Sequence, residues 1–302
     1  MQTEFYSHGK LLLTGEYAVL DGAQAWAIPT KFGQFLKVST TNGKTLKWQS
    51  LNEHGQTWFE CIINLDNLSF RKASDKAVAS RLQSILLESK KLNPEFLSSQ
   101  QGMEVQTKLT FPKNWGLGSS STLISNIAYW ANIDPYKLLA ATFGGSGYDI
   151  ACARHETPIL FQLQNGTPII ERLSGHSILK EQLFFVYRNK KQNSRTAIER
   201  YRSHQIDRES FLAKIDGLTA KMINTSTLDE FEYLMTEHEN ILSKVLNLPS
   251  LKTELFQDFK GAIKSLGGWG GDFFMATGNQ KTPDYFKAKG YDVVLAYNEM
   301  AL

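Results

Sequence analysis

FPKNWGLGSSSTLISNIAYW, Phe111 to Trp130, is the stretch on which the reading of the fold turns. The residues leading into it, MEVQTKLTF, are rich in strand formers. A turn with two glycines and three serines follows, and then an apolar-periodic run that reads as a helix. The first turn of a helix leaves backbone N–H groups unpaired, and the macrodipole places partial positive charge there. Glycine lets an anion approach the backbone with no side chain in the way. Ser119, Ser120 and Ser121 can donate hydroxyls to phosphate or hold a metal. The plain alternative is that serines cap helices and glycines make turns. The loop lacks the closing Gly-Lys-Ser/Thr of a Walker A sequence and the third glycine of a dinucleotide fingerprint, so a nucleotide here would be held by another architecture.

The rest of the chain suits such a site. Its 302 residues suggest about two domains. Hydrophobic residues make up 42% and charged residues 21%, enough apolar surface for a buried core. The net charge of +3 is too balanced to argue for nucleic acid or an anionic membrane as main partner. No apolar run approaches the roughly 20 residues that span a bilayer. The two cysteines, Cys61 and Cys152, form no disulfide framework and suit a reducing cytosol, and the N-terminus lacks a signal-peptide layout. A cytoplasmic protein is expected.

The first 70 residues read as strands and turns: QFLKVSTT, TLKWQSL and TWFECIINL, with Asn42-Gly43 and His54-Gly55 between them. A helix is expected from Ser74, as cap, to Lys91, with Pro94 beyond its end. Asp134-Pro135 reads as a cap with proline at the first helical position. Strands are expected at PILFQLQ, TPIIERL and QLFFVYR, helices from Asp207 to Leu266 with breaks near Asn224 and Pro249, and a last strand at DVVLAY. Strands first, then helices closed by strands, indicate α+β in two halves, 1–172 and 173–302.

Three further small-residue loops accompany GLGSSS. Ser7 to Ala23, SHGKLLLTGEYAVLDGA, places Lys10 and Glu16 around an apolar run. GGSGYDIACA places Asp149 just after a glycine turn that includes Ser146 and Gly147. SLGGWGGDFF carries Gly267, Gly268, Gly270 and Gly271. In this order the segments resemble the motifs of the GHMP kinase superfamily, whose members include galactokinase, homoserine kinase, mevalonate kinase and phosphomevalonate kinase. GKLLLTGEYAVLDG is similar to the first motif, PKNWGLGSSS to the ATP-binding second, GSGYDIA to the segment with the catalytic aspartate, and SLGGWGGDFF to the third. GSGYDIACA and GGDFF lean toward phosphomevalonate kinases. VYRNKKQNSRTAI resembles a mevalonate kinase segment ending in a substrate-side threonine, here Thr196, with Ser194 and Arg195 in swapped order. Departures are His8 in place of the usual proline, Ser121 in place of alanine or glycine, and Trp269 in place of a glycine. The sugar-kinase Arg-Asn signature is absent.

The resemblance implies a two-domain GHMP kinase-like fold, with an N-terminal ATP-binding domain and a C-terminal ferredoxin-like α/β sandwich. It implies a kinase using ATP and Mg2+ on a small anionic hydroxy or phospho acid, mevalonate or 5-phosphomevalonate first, in isoprenoid biosynthesis. Asp149 is then the base and Lys10 its electrostatic partner. Lys113, Gly116, Leu117, Gly118, Ser119, Ser120 and Ser121 hold ATP, with Ser120 on the metal. Glu16, Ser146, Gly147, Arg195, Thr196, Gly267, Gly268, Gly270 and Gly271 fall on the acceptor side, with Glu16 holding Lys10 or a backbone amide. Mevalonate kinases carry a magnesium-binding glutamate before the aspartate segment, where LLAATFGGSGYD has no carboxylate. Either another acid serves, or serine, water and ATP oxygens complete the shell. Other readings are a non-catalytic nucleotide- or metabolite-binding protein of this fold, and a kinase for an amino-acid or sugar alcohol. By themselves, Asp149 reads first as a helix N-cap, Lys10 and Lys113 as solvated lysines, and Asp272 as a structural hydrogen-bonder. The six histidines show no zinc spacing, and His238 is expected to face solvent. Met222 and Met235 read as core.

Overall fold

The computed structural model describes residues 2–99, 101–174, 180–190, 194–269 and 271–302. By its contacts the chain forms two compact units. One comprises Met1–Gly9, Phe32–Lys113 and Leu117–Arg154; the other comprises Lys10–Lys31, Asn114–Gly116 and His155–Leu302. Two strands, β1 (Gln2–Leu12) and β2 (Ala25–Thr40), contribute residues to both.

The first unit is an α/β layer pair. Its strands are ordered β5 (Phe70–Ala73), β4 (Thr57–Asn64), β3 (Thr45–Leu51), β6 (Met103–Leu109) and the later part of β2, with β3 parallel to β6 and the other neighbours antiparallel. Along β3 the side chains alternate, with Leu46, Trp48 and Ser50 turned inward, as a sheet with one covered face requires. Helices α1 (Lys76–Leu92), α2 (Ser119–Ala131), α3 (Pro135–Thr142) and α4 (Tyr148–Ala153) share one core with that face. Leu82, Ile85 and Leu86 come from α1, Ile124, Ile127 and Ala128 from α2, and Leu138 from α3, against Leu36, Trp48, Phe59 and Ile63 of the strands.

Local chemistry fixes the ends of these helices. Asp134 caps α3, its carboxylate accepting from Tyr136 N–H at 2.8 Å, with Pro135 behind it. The cap of α1 is Asp75, one residue beyond the expected Ser74. Its carboxylate accepts from Ala77 N–H and Val78 N–H, while the Ser74 hydroxyl accepts from Glu60 N–H. Carboxylate and hydroxyl both cap well, and the neighbouring strand takes the serine.

In the second unit the Ala25–Ala27 part of β2 pairs with β7 (Ile159–Gln164), which pairs with β8 (Thr167–Arg172). Asn165 and Gly166 join β7 to β8 with φ of 51° and 78°, the left-handed pair that a two-residue hairpin demands. A separate antiparallel sheet runs β10 (Ile263–Ser265), β11 (Phe273–Thr277), β9 (Leu183–Tyr187) and β12 (Val294–Ala296). Helices α5 (Ser194–Ser203), α6 (Arg208–Asn224), α7 (Leu228–Leu246), α8 (Leu251–Leu255), α9 (Thr282–Ala288) and α10 (Tyr297–Met300) complete it. The expected helical run to Leu266 ends at Leu255, because Ile263–Ser265 pairs in register with Phe274–Ala276 as a fully buried strand. A short apolar run cannot by itself tell these states apart. The α+β class is as expected from the sequence, and the structure holds a large mixed sheet and a second, smaller antiparallel one.

Candidate active site

The glycine–serine elbow does open a helix. Gly118 is the N-cap of α2, at φ 91°, and offers no side chain to the first-turn N–H groups. No side chain of the cap therefore satisfies those amides, and an uncapped helix N-terminus is where an anion is stabilised. Ser119 is half-buried and Ser120 is exposed. Ser121 is buried, and its hydroxyl donates inward to Gly118 O at 2.8 Å. Leu117 is fully buried beside them.

A polar seam anchors this helix to the strands of the same unit. Thr122 Oγ1 donates to Gln34 Oε1, Asn126 Nδ2 to Gln34 O and Ser7 Oγ to Asn126 Oδ1, each at 2.8 Å. Asn126, Thr122 and Ser7 are completely buried, so each of these bonds answers a desolvation cost. None of the four residues carries a sequence signal beyond being polar within an apolar period.

Helix α4 packs against α2 in the first unit and carries Asp149 in its first turn. The N-cap is Gly147, at φ 90°, so Asp149 is not the cap. Its Oδ1 accepts from Ile150 N–H at 3.0 Å, and its side chain stays partly open. Ser146 and Gly147 are buried; a Cβ on Gly147 would lie 3.0 Å from the Tyr136 ring. Lys113 places its ammonium 3.6 Å from the centre of the Trp58 ring, a cation–π contact.

In the second unit, Lys10 Nζ donates to Gly116 O at 2.9 Å. Gly116, at φ 69°, lies so close to Asp272 that a Cβ there would sit 2.1 Å from Asp272 Oδ2. Asp272, itself at φ 50°, is tied through its backbone to Arg188 and Lys190. Gly267 turns with φ 65°, Gly268 is half-buried and Gly271 is buried. Trp269 N–H donates to the Tyr17 hydroxyl at 2.7 Å. Arg195 and Thr196 lie in the first turn of α5, and Gly270 falls outside the described residues.

The largest surprise is a buried charge cluster in this unit. Glu16 is 2% exposed, and its carboxylate closes on the ammonium of Lys264, which is 0% exposed. The partner left open between Lys10 and an amide is thus Lys264. Lys264 Nζ also donates to Ser265 O, and Glu239 accepts from Ser265 N–H and Oγ. Burial pushes the Glu16 carboxyl up to about 7, against the pull of Lys264. His238 is fully buried, not solvent-facing; its Nε2 accepts from Gly15 N–H at 3.3 Å and lies 3.5 Å from Glu16 Oε2. The signal for this was present: His238 shares the face of α7 with Phe231, Leu234, Met235, Leu242 and Leu246. Met222 and Met235 are core, as expected.

His238 carries a testable linkage. Burial first, and then the Lys264 charge, hold its protonation well below the ordinary value. The unfolded chain takes up this proton below about pH 6.5 and the folded chain does not. The histidine's contribution is therefore present above that pH and lost as pH falls. Glu16 and Glu239, raised by burial, act in the opposite sense, so the difference between variant and wild type isolates it. Relative to wild type, His238→Gln should gain stability on acidification below about pH 6.5, by up to about 1.4 kcal/mol per pH unit. Urea denaturation above and below that pH measures it; a pH-independent difference would refute it.

No protein-family model and no curated protein matches the sequence. Solved structures do. Mevalonate kinase from Methanococcus jannaschii aligns with a TM-score of 0.70 and 15% identity, over 98% of this chain and 97% of that one. Lactococcus lactis galactokinase complexed with galactose aligns at 0.72 and 16%, over 98% and 92%. Streptococcus pneumoniae phosphomevalonate kinase, in complex with phosphomevalonate and AMPPNP, aligns at 0.68 and 15%, over 97% and 99%. The chain has the fold of the GHMP kinases along nearly its whole length. No helix among the described residues is long and apolar enough to cross a membrane.

Proposed function

We propose that this protein is an ATP-dependent kinase for a small anionic hydroxy or phospho acid, with mevalonate and 5-phosphomevalonate as the first candidates. The observation that carries the reading is the N-terminus of α2: glycine-capped, flanked by serine hydroxyls and packed against the helix that bears Asp149. The motif order in the sequence and the shared fold support it.

The residues fit a nucleotide polyphosphate. The uncapped amides after Gly118, with Ser119, would hold phosphate oxygens. The described residues contain no group of three or more His, Cys, Asp or Glu able to hold a metal. Ser120 would hold magnesium together with phosphate oxygens and water, in keeping with that ion's reluctance to shed hydration, and the ion would supply neutralising charge to the phosphates.

Asp149 would take the proton of an acceptor hydroxyl while its oxygen attacks the γ-phosphorus and the bond to the β-phosphate oxygen breaks, releasing ADP. Lys10 would offset charge on the transferring group. Glu16, held by Lys264, would fix the first motif. Ser146, Gly147, Arg195, Thr196 and the glycines at 267, 268, 270 and 271 would serve the acceptor.

A coupled ADP-release assay tests this with magnesium–ATP and, separately, mevalonate, 5-phosphomevalonate, galactose and an amino-acid alcohol. ADP release dependent on one of the two acids is expected. Release with the sugar or amino alcohol alone would reassign the acceptor. Tight magnesium–ATP binding with no transfer to any of them would favour a non-catalytic binding protein.

A further inference from the structure

Tyr17 occupies a backbone conformation that an aromatic residue rarely adopts. Its φ is 63° and its ψ −45°, and Ala18 N–H donates to Glu16 O at 2.7 Å. This is the rarer, positive-φ form of the γ-turn, which is strained. Such strain persists where the surroundings over-determine it, and it concentrates at sites where geometry matters.

Here the surroundings hold it from several sides. Glu16 is pinned by Lys264. The Tyr17 hydroxyl accepts from Trp269 N–H, and the Tyr17 ring stacks on Tyr201 of α5, with centroids 5.5 Å apart and planes 29° apart. Four residues further on, Asp21 accepts from the Tyr201 hydroxyl at 2.5 Å, from Arg202 at 2.5 Å and from Arg208 at 2.6 Å. Arg208 also reaches the Tyr201 hydroxyl at 3.2 Å. Core packing alone accounts for a buried Tyr17. It does not account for a left-handed backbone with a polar tip aimed at a main-chain amide, nor for three donors converging on one carboxylate.

We propose that Tyr17 and Asp21 are positioning residues: from the strained turn, Tyr17 holds the third glycine loop through Trp269 N–H, and from the short helical turn that follows it, Asp21 holds α5 through Tyr201, Arg202 and Arg208. The effect on acceptor affinity rests on the reading above, in which α5 and the 267–271 loop serve the acceptor. Neither residue needs to touch the substrate. Tyr17→Phe removes the acceptor of the Trp269 amide and keeps the ring stack. Asp21→Asn keeps size and one acceptor oxygen but removes the charge opposite two guanidinium groups.

The test uses the full chain, hydrogen–deuterium exchange read by peptide, and steady-state kinetics. Tyr17→Phe should speed exchange around Trp269, and Asp21→Asn should speed it across α5, with α7 unchanged in both. Each should raise the acceptor KM by about tenfold, with the ATP KM and kcat altered by less than about threefold, the signature of lost uniform binding. Asp21→Glu should recover part of the loss. Unchanged exchange at both segments, or a parallel rise in both KM values, would overturn the inference. Should Asp21→Asn fail to fold, Arg202→Gln removes one partly exposed donor and replaces it in the test. A wild-type chain that turns over no acid would end the kinase reading alone, and the exchange contrast would still decide whether the two residues hold these segments.

Discussion

Asp149→Asn should leave the fold intact and cut turnover of a hydroxyl acceptor by about 10²–10⁴-fold, the usual worth of a positioned general base. The fold should survive because Asp149 is not the cap of α4 and an asparagine oxygen can still accept from Ile150 N–H. Nucleotide affinity should change little, since the proposed phosphate contacts come from α2. The size of the loss also separates the two acids. Mevalonate offers a hydroxyl that must lose its proton, whereas 5-phosphomevalonate offers a phosphate that is already ionised and needs no strong base. A loss well under tenfold on a chain active with 5-phosphomevalonate therefore fits the phosphate acceptor. A mevalonate-active chain that keeps full turnover as Asp149→Asn would remove Asp149 from the chemistry. Single-turnover rates with each acid make the comparison.

Lys264→Met should destabilise the protein by about 3–5 kcal/mol, the range for breaking a buried ion pair from one side. Methionine roughly keeps the length of the side chain, so the cost is electrostatic: Glu16 is left buried, with Glu239 nearby and no cation between them. Removing the charge on both sides should undo much of this. Glu16→Gln with Lys264→Met is expected to be closer to wild type than Lys264→Met alone, because the double variant leaves no uncompensated charge buried. Equilibrium denaturation of wild type, both single variants and the double completes the cycle. A cost below about 1 kcal/mol for Lys264→Met would mean that the pair is not sealed from water.

The parts legible in the sequence were those that depend on local rules. Asp134-Pro135 announces a helix start through the chemistry of two residues, and the α2 elbow does so through glycines and serines. Alternation along TLKWQSL announces a half-covered strand. What escaped depended on partners far away in the chain. Glu16 and Lys264 are 248 positions apart, and nothing in either neighbourhood marks the other. His238 lies within a visible apolar period, yet a titratable residue reads as solvated there because its compensation, the Gly15 amide, comes from 223 residues away. Ile263–Ser265 is too short to reveal its state without β11 beside it. Local signals name the elements and the loops; buried polar pairs are chosen by topology.

The seam of Gln34, Thr122, Asn126 and Ser7 determines what can vary at the elbow. With those hydrogen bonds fully committed, α2 cannot rotate about its own axis or slip along the strand without stranding a buried polar group. The direction in which the helix points its amides is thus inherited from the sheet and owes little to the residues of the turn. If the elbow holds phosphate as proposed, substitutions at the tip would retune which anion is held without re-aiming the helix.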